Sequence, residues 1–166
     1  MPSQYTFTDY SPTWPDAFNQ EAERLTTLLG AELITVHHIG STSVPNLKSK
    51  PIIDILIGIK DEKSVDILIT GLERIGYKYR SSHGIEGRYY FTKGNSDHTL
   101  FHLHAFHVAD ENFGRHLKVK EVLLNNGNFR EKYENYKQAS LPLSREDYTD
   151  GKTGLMQEIL SWEVVS

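Results

Sequence analysis

A single carboxylate within an apolar run is the residue of this sequence best placed to do chemistry. Asp54 lies in the segment Ile52 to Ile57, which follows Pro51 and has the β-branched composition of a buried strand. An ionised carboxylate is unfavourable in such a strand unless a metal ion or a positive side chain lies beside it. We therefore expect Asp54 to contact a metal ion or a cation, with Lys50 and Arg88 as the candidate cations.

A small-residue turn before this strand could hold phosphate oxygens. Gly40, Ser41 and Thr42 follow the apolar run Leu33 to Ile39, which also reads as a strand. Glycine lets backbone N–H groups approach a ligand closely, and the Ser41 hydroxyl adds a donor. Lysines at positions 48 and 50 would supply positive charge. An ordinary Ser/Thr turn at a strand end is the alternative interpretation, and the spacing to the carboxylate favours the phosphate site.

Two histidines, His102 and His104, are spaced like ligands. They lie two positions apart in the predicted strand Thr99 to Val108, so both side chains point to one face. Such a pair can bind a metal ion, or a phosphate when protonated, and structurally satisfied histidines are the alternative. If the pair converges on Asp54, the donor set suits Zn or Mn better than Mg, which prefers oxygen ligands. His38 flanks the turn and would support the site from outside.

The segments His38 to Pro45 and Lys50 to Leu56 together resemble the signature of the GrpB family. These small bacterial proteins belong by fold to the nucleotidyltransferase superfamily, whose wider pattern is an apolar residue, Gly-Ser and, on the next strand, Asp-apolar-Asp/Glu. The similarity holds at Gly40, Ser41 and Asp54. It fails at Leu56, where a fully equipped transferase carries its second carboxylate. The resemblance implies a fold more firmly than an activity.

The resemblance also points to two further cations. A GrpB-like arginine occupies the kind of position held by Arg88, and arginine binds phosphate through two parallel hydrogen bonds. A salt bridge between Arg88 and Glu86 is the alternative, and Glu86 could also be the missing carboxylate. GrpB-like chains resemble this one in having a tyrosine and a lysine four residues apart, here Tyr148 and Lys152. Lys152 would then reach a triphosphate, unless it is an ordinary exposed lysine.

Composition excludes several classes of protein. A chain of 166 residues is expected to form one domain, residues 1–166, with a helical C-terminal part from about residue 110 to 166. The net charge of −4 argues against a nucleic-acid partner, and zero cysteines exclude a disulfide framework and thiolate metal sites. The sequence shows neither a signal peptide nor an apolar run long enough to span a membrane. We therefore expect a soluble, cytoplasmic protein.

The elements that position these residues predict an α/β (α+β), nucleotidyltransferase-like fold, with a mixed twisted sheet of about five strands and flanking helices. The predicted strands are Leu33–Ile39, Ile52–Ile57, Tyr77–Ser81, Arg88–Lys93 and Thr99–Val108. The predicted helices are one capped by Ser11 or Thr13 and ended by Gly30, then Glu62–Ile75, Asp110–Asn125, Asn128–Ala139 and a last one ending near Trp162. Lysines on the C-terminal helices are expected on solvated faces: Lys118, Lys120, Lys132 and Lys137.

The function favoured by these observations is binding of a nucleotide, such as a nucleoside triphosphate, or of another phosphorylated small molecule. Nucleotidyl transfer assisted by a divalent metal ion (Mg, Mn or Zn) is the enzymatic version, to an acceptor that the sequence does not indicate. Two alternatives stay open. One is a catalytically silent binding or interaction module that kept the fold, and the other is a metal-dependent hydrolase with His102 and His104 as primary ligands. The sequence gives no indication of the oligomeric state.

Overall fold

Five strands form one mixed sheet in the structure, a computed structural model that describes residues 7–60, 65–95, 97–139 and 154–162. The strands are β1 (Leu33–Ile39), β2 (Ile53–Ile59), β3 (Tyr77–Tyr79), β4 (Tyr89–Gly94) and β5 (Thr99–His107). Their order across the sheet is β1-β2-β5-β4-β3. The central pair, β2 and β5, is parallel, and the other pairs are antiparallel. The predicted α/β class with a mixed sheet is confirmed.

Four of the described helices are α1 (Thr13–Leu29), α2 (Val65–Arg74), α3 (Glu111–Asn125) and α4 (Gly127–Ala139), and α5 spans 154–161. As predicted, Asp110 caps α3, because its Oδ1 accepts the Asn112 N–H at 2.8 Å. The capping prediction for α1 is wrong in detail, since Pro12 occupies the cap position without a side-chain hydrogen bond. Ser11 Oγ instead accepts the N–H of Thr13, the first helical residue. No helix in these ranges is long and apolar enough to cross a bilayer.

The two faces of the sheet carry different side chains because residues alternate along β2. Four isoleucines of β2 join Leu103 and Ala105 of β5 in the main core, which α1 and α2 cover. The opposite face carries Leu56 and Phe106, which pack against Phe113 of α3. Asp54 belongs to this second face, as the alternation predicted. The carboxylate therefore lies on the α3 side of the sheet, away from the main core.

A separate apolar cluster attaches the C-terminal helices to the turn after β1. Its buried members come from the loop after the turn and from three helices: Val44, Leu47, Val122, Leu123, Tyr133, Leu155 and Ile159. Because loop residues and α4 residues share this cluster, α4 is held beside the turn that contains Gly40 and Ser41. The C-terminal helices are therefore part of the environment of the candidate site.

The connection after β2 is a strand–helix–strand crossover, as predicted, but its two strands are not neighbours. β5 pairs with β2, and β4 lies between β5 and β3, so β3 forms the far edge of the sheet. The antiparallel run β3-β4-β5 explains this arrangement, because it returns the chain to the middle of the sheet. The strand that carries His102 and His104 consequently lies directly beside the strand that carries Asp54.

Candidate functional site

The turn after β1 packs directly on the carboxylate of β2. Gly40 has φ 74° and ψ −172°, a backbone conformation that is essentially restricted to glycine. A Cβ atom added at this position would lie 2.5 Å from Asp54 Oδ2, which is far inside van der Waals contact. Position 40 therefore requires glycine for two reasons, its backbone conformation and the closeness of Asp54.

Two histidines of β5 converge on the same carboxylate. In the parallel register, His102 lies opposite Asp54 and His104 lies opposite Leu56. His102 Nδ1 lies 3.4 Å from Asp54 Oδ1, and His104 Nε2 lies 3.2 Å from the same oxygen. The Asp54 side chain keeps 27% of its surface exposed, compared with 12% for His104. The structure thus brings together the three residues that the sequence singled out as metal ligands.

The charges in this cluster follow from burial and hydrogen bonding. Burial alone would raise the pKa of Asp54, but interactions with His102 and His104 outweigh it and hold the pKa well below its ordinary value. Burial lowers the pKa of His104, which the neighbouring carboxylate only partly opposes. At neutral pH the arrangement is therefore an ionised Asp54 beside a neutral His104.

Arg88 supports this cluster instead of pairing with Glu86. Its guanidinium is buried and donates to the carbonyl oxygens of Ser82 and His83 at 3.0 Å each, and to His104 Nδ1 at 3.2 Å. The alternative of a salt bridge to Glu86 is wrong. Glu86 is exposed, and the turn before β4 presents its carbonyls to the guanidinium. These three hydrogen bonds use three of the five N–H donors of the guanidinium, and binding of phosphate by Arg88 stays a prediction.

A lysine that was predicted to be solvated contacts the other side of the turn. Lys137 of α4 is only 7% exposed, and its Nζ donates to Ser41 Oγ at 2.5 Å. Ser41 Oγ in turn donates to the hydroxyl of Tyr133 at 3.5 Å. The Lys137 ammonium also lies 4.9 Å from the centre of the Tyr133 ring. The prediction of a solvated Lys137 is wrong, because α4 packs this face against the turn.

The helical spacing of α4 contained a signal that indicates the burial of Lys137. Phe129, Tyr133 and Lys137 lie four residues apart in α4 and therefore share one face. Phe129 and Tyr133 both belong to the apolar cluster under the turn. A lysine in line with two aromatic residues is expected to lie along that buried face, with its ammonium at the edge.

Two of the other three lysines on these helices also differ from expectation. Lys120 Nζ donates to the backbone oxygen of His38 at 2.7 Å, and Lys118 Nζ donates to that of Leu160 at 2.5 Å. Both lysines fasten α3 to neighbouring segments, so neither is simply solvated. Lys132 behaves as predicted, since it forms an exposed ion pair with Glu158 at 2.6 Å.

His38 holds the turn through a hydrogen bond to Thr42, as expected for a residue that supports the site. Its Nε2 and the Thr42 hydroxyl are 2.8 Å apart, and its ring stacks on Phe18. Burial, helped by the nearby Lys120 charge, lowers the pKa of His38 to about 4. Thr42 is completely buried, and its hydroxyl is hydrogen-bonded to His38. The assignment of Thr42 to phosphate binding stays a prediction, and in this arrangement its side chain serves the turn.

The remaining predicted cations lie farther from the carboxylate or outside the described residues. Lys50 Nζ lies 6.0 Å from the centre of the Phe7 ring, and Lys48 forms a loose ion pair with Asp9 at 3.8 Å. Among the ion pairs of the described ranges, Asp54 is matched with histidines and not with Lys50. Lys152 and Tyr148 fall outside the described residues.

The donors at Asp54 do not form a three-ligand metal centre as they stand. Among the described residues, no group of three or more His, Cys, Asp or Glu side chains is arranged to hold a metal ion. A histidine that binds metal through Nε2 carries its proton on Nδ1, where an acceptor usually meets it. At His104 this position faces Arg88, which can only donate. A divalent metal ion at this site therefore stays a prediction, and His104 does not fit it in this tautomer.

Comparison with known proteins places the chain in a family. The sequence profile described as GrpB protein matches residues 4–161. The chain belongs to the GrpB family. It is 34% identical over 163 residues to UPF0157 protein BH1888 of Halalkalibacterium halodurans, covering 93% of this chain and 80% of that protein. The resemblance recognised from the segments around Gly40 and Asp54 is thereby confirmed.

Two further comparisons define the extent of the match. UPF0157 protein YqkA of Bacillus subtilis is 36% identical over 146 residues, which are 86% of this GrpB-family chain but only 42% of YqkA. The chain thus spans less than half the length of that relative. The crystal structure of conserved protein GrpB from Enterococcus faecalis matches with a TM-score of 0.82 at 35% identity, covering 93% of this chain and 97% of that one.

Proposed function

We propose that this GrpB-family protein binds a phosphorylated small molecule, and in particular a nucleoside triphosphate, at the turn formed by Gly40 and Ser41. The observation that supports this proposal best is the hydrogen bond from Lys137 Nζ to Ser41 Oγ beside a glycine in a glycine-only conformation. A lysine ammonium and a hydroxyl beside the backbone of a glycine turn are donors that suit phosphate oxygens. The ligand would meet Ser41 and Lys137 together.

Burial determines how such a ligand would be held. Ser41 and Lys137 are each only 7% exposed, so the phosphate is expected to displace the hydrogen bond between them. Charge-assisted hydrogen bonds are stronger in such a poorly solvated place than at the surface. The ionised Asp54 on the other side of Gly40 would repel the phosphate, unless a cation or a donor hydroxyl lies between the two groups.

Nucleotidyl transfer is the enzymatic version of this proposal, with a divalent metal ion near Asp54 and His102. A transferase of the two-metal type needs carboxylates that bridge both ions. The position of the second carboxylate is Leu56, which is fully buried in an apolar cluster with Phe106 and Phe113. This packing gives position 56 a structural role. It favours a binding module without turnover as the second candidate function, and the metal-dependent hydrolase is the third.

A thermal-shift screen of nucleotides, each with and without Mg, Mn or Zn, tests the proposal. We expect a nucleoside triphosphate to raise the Tm, and to do so most with a divalent metal ion. A ligand at one hundred times its Kd contributes about 2.7 kcal/mol, which corresponds to roughly 5 to 10 °C for a domain of this size. A flat response to every nucleotide at millimolar concentration would remove the proposal.

An assay of pyrophosphate release by the same protein distinguishes an enzyme from a binding module. A nucleotide that binds should release pyrophosphate in the presence of Mn if transfer occurs, whereas binding without release favours the module. The cytoplasmic location proposed from the sequence is tested separately by cell fractionation.

A further inference from the structure

Three side chains form a chain of hydrogen bonds whose direction is fixed by chemistry. Arg88 Nη1 lies 3.2 Å from His104 Nδ1, and His104 Nε2 lies 3.2 Å from Asp54 Oδ1. A guanidinium can only donate a hydrogen bond, and an ionised carboxylate can only accept one. His104 must therefore accept at Nδ1 and donate at Nε2. This is the neutral tautomer that carries its proton on Nε2.

We propose that His104 is a positioning residue: Arg88 holds it as the Nε2–H tautomer, and it anchors Asp54 Oδ1 so that Asp54 Oδ2 lies against the Gly40 turn. Arg88 is well fixed for this task, since it also donates to the carbonyls of Ser82 and His83. Its guanidinium lies 4.6 Å from the centre of the Tyr90 ring, which further limits its movement.

The two oxygens of Asp54 have different surroundings. Oδ1 is approached by His102 at 3.4 Å and by His104 at 3.2 Å. Oδ2 is the oxygen that lies against Gly40, 2.5 Å from where a Cβ atom would be. Within the described ranges, the hydrogen bonds and ion pairs of Asp54 all use Oδ1. Because the side chain is also 27% exposed, Oδ2 is the oxygen that can accept a divalent cation or a ligand hydroxyl.

This arrangement changes the set of expected metal ligands. To bind a metal ion through Nε2, His104 would have to move its proton to Nδ1, opposite the Arg88 donor. Two donors facing each other without an acceptor would lose a buried hydrogen bond. A divalent cation that reaches this site would therefore contact Asp54, and His104 would stay protonated on Nε2. The inference concerns the ligand-free protein and stands whether or not a nucleotide binds.

Nitrogen-15 NMR of protein labelled at histidine tests the tautomer directly. Spectra are recorded at neutral pH without metal and after addition of Zn²⁺ alone, and the His104 signals are assigned by their loss in His104→Gln. We expect His104 to show a proton on Nε2 and an unprotonated Nδ1 in both spectra. A proton on Nδ1, a doubly protonated ring, or loss of the Nε2 proton upon addition of Zn²⁺ would overturn the proposal.

Variants of Arg88 test what holds the tautomer. Arg88→Lys keeps a donor near Nδ1 and should keep the spectrum of the parent protein. Arg88→Met removes the donor and should lower the fraction of the Nε2–H tautomer. A purely structural role for Arg88 would leave the His104 spectrum of a folded Arg88→Met protein unchanged, and that result would also contradict the proposal. If Arg88→Met does not fold, the spectra of the parent protein still decide.

Discussion

The two sides of the Gly40–Ser41 turn are assembled in different ways. On one side, Asp54, His102 and His104 come from two neighbouring strands, and strand alternation with the parallel register brings them together. On the other side, Ser41 meets Lys137, which is 96 residues away in sequence and reaches it only because α4 packs beside the turn. The first side depends on strand alternation and strand pairing, whereas the second depends on the packing of a helix against the turn. Sequence patterns therefore predict the first side better than the second.

Replacing the glycine between the two sides should have the largest effect on stability. Gly40→Ala places a residue at φ 74° and ψ −172° and adds a Cβ atom 2.5 Å from Asp54 Oδ2. We expect the free energy of unfolding to fall by about 3 kcal/mol or more, from backbone strain and the clash together. Urea denaturation followed by circular dichroism measures this change.

Gly30→Ala is the matched control for backbone strain alone. Gly30 has φ 54°, and an added Cβ would meet nothing within 4 Å. With ψ −126° this is a region that non-glycine residues rarely populate, so the change should cost about 1–3 kcal/mol from backbone strain alone. Equal losses of stability for the two variants would show that the close approach of Asp54 to position 40 contributes nothing to the cost of Gly40→Ala.

The Lys137 side is tested by binding instead of stability. Lys137→Met keeps an apolar stem against Tyr133 but removes the ammonium near Ser41. If that ammonium binds phosphate, the affinity for a nucleoside triphosphate should fall by about 10- to 100-fold, because hydrogen bonds to charged groups contribute about 1.5–3 kcal/mol. Isothermal titration calorimetry of parent and variant measures the change.

Lys132→Met provides the control on the same helix. Lys132 lies at the surface in an ion pair with Glu158, so its loss removes the same charge without touching the turn. Affinity should stay within about twofold, since exposed ion pairs contribute little. If both variants weaken nucleotide binding equally, the effect comes from net charge, and Lys137 has no special place in the site.

Particular residues show why the prediction succeeded on one side and failed on the other. A period of two places Asp54 opposite the isoleucines of its strand, and His102 and His104 on one face of theirs, since a strand has only two faces. The pairing of these two strands was not predicted and comes from the structure. Lys137 could not be placed so easily, because a lysine on a polar helix fits solvent unless the partner of that helix is known. The alternative of a salt bridge between Arg88 and Glu86 was wrong for a similar reason. Two of the acceptors of Arg88 are the backbone carbonyls of Ser82 and His83, and backbone carbonyls carry no signal in the sequence.

The Asp54 side is tested by the smallest expected effect, through its dependence on pH. The neighbouring histidines hold the folded-state pKa of Asp54 below its ordinary value of 3.8. The ionised carboxylate therefore stabilises the fold above that value, and this contribution is lost as pH falls through the lowered folded-state pKa. Asp54→Asn keeps an acceptor for His104 but loses the charge, so it should be about 1–2 kcal/mol less stable than the parent at pH 7. Urea unfolding at pH 7, 5, 4 and 3 should show this difference shrinking below about pH 4. The control Asp97→Asn, at an exposed position, should stay within about 0.5 kcal/mol of the parent protein.

An Asp54→Asn protein as stable as the parent, or more stable, at every pH would show that the carboxylate is unfavourable in the ligand-free fold. The histidines would then be inadequate partners, and a bound cation would be required on this side of the turn.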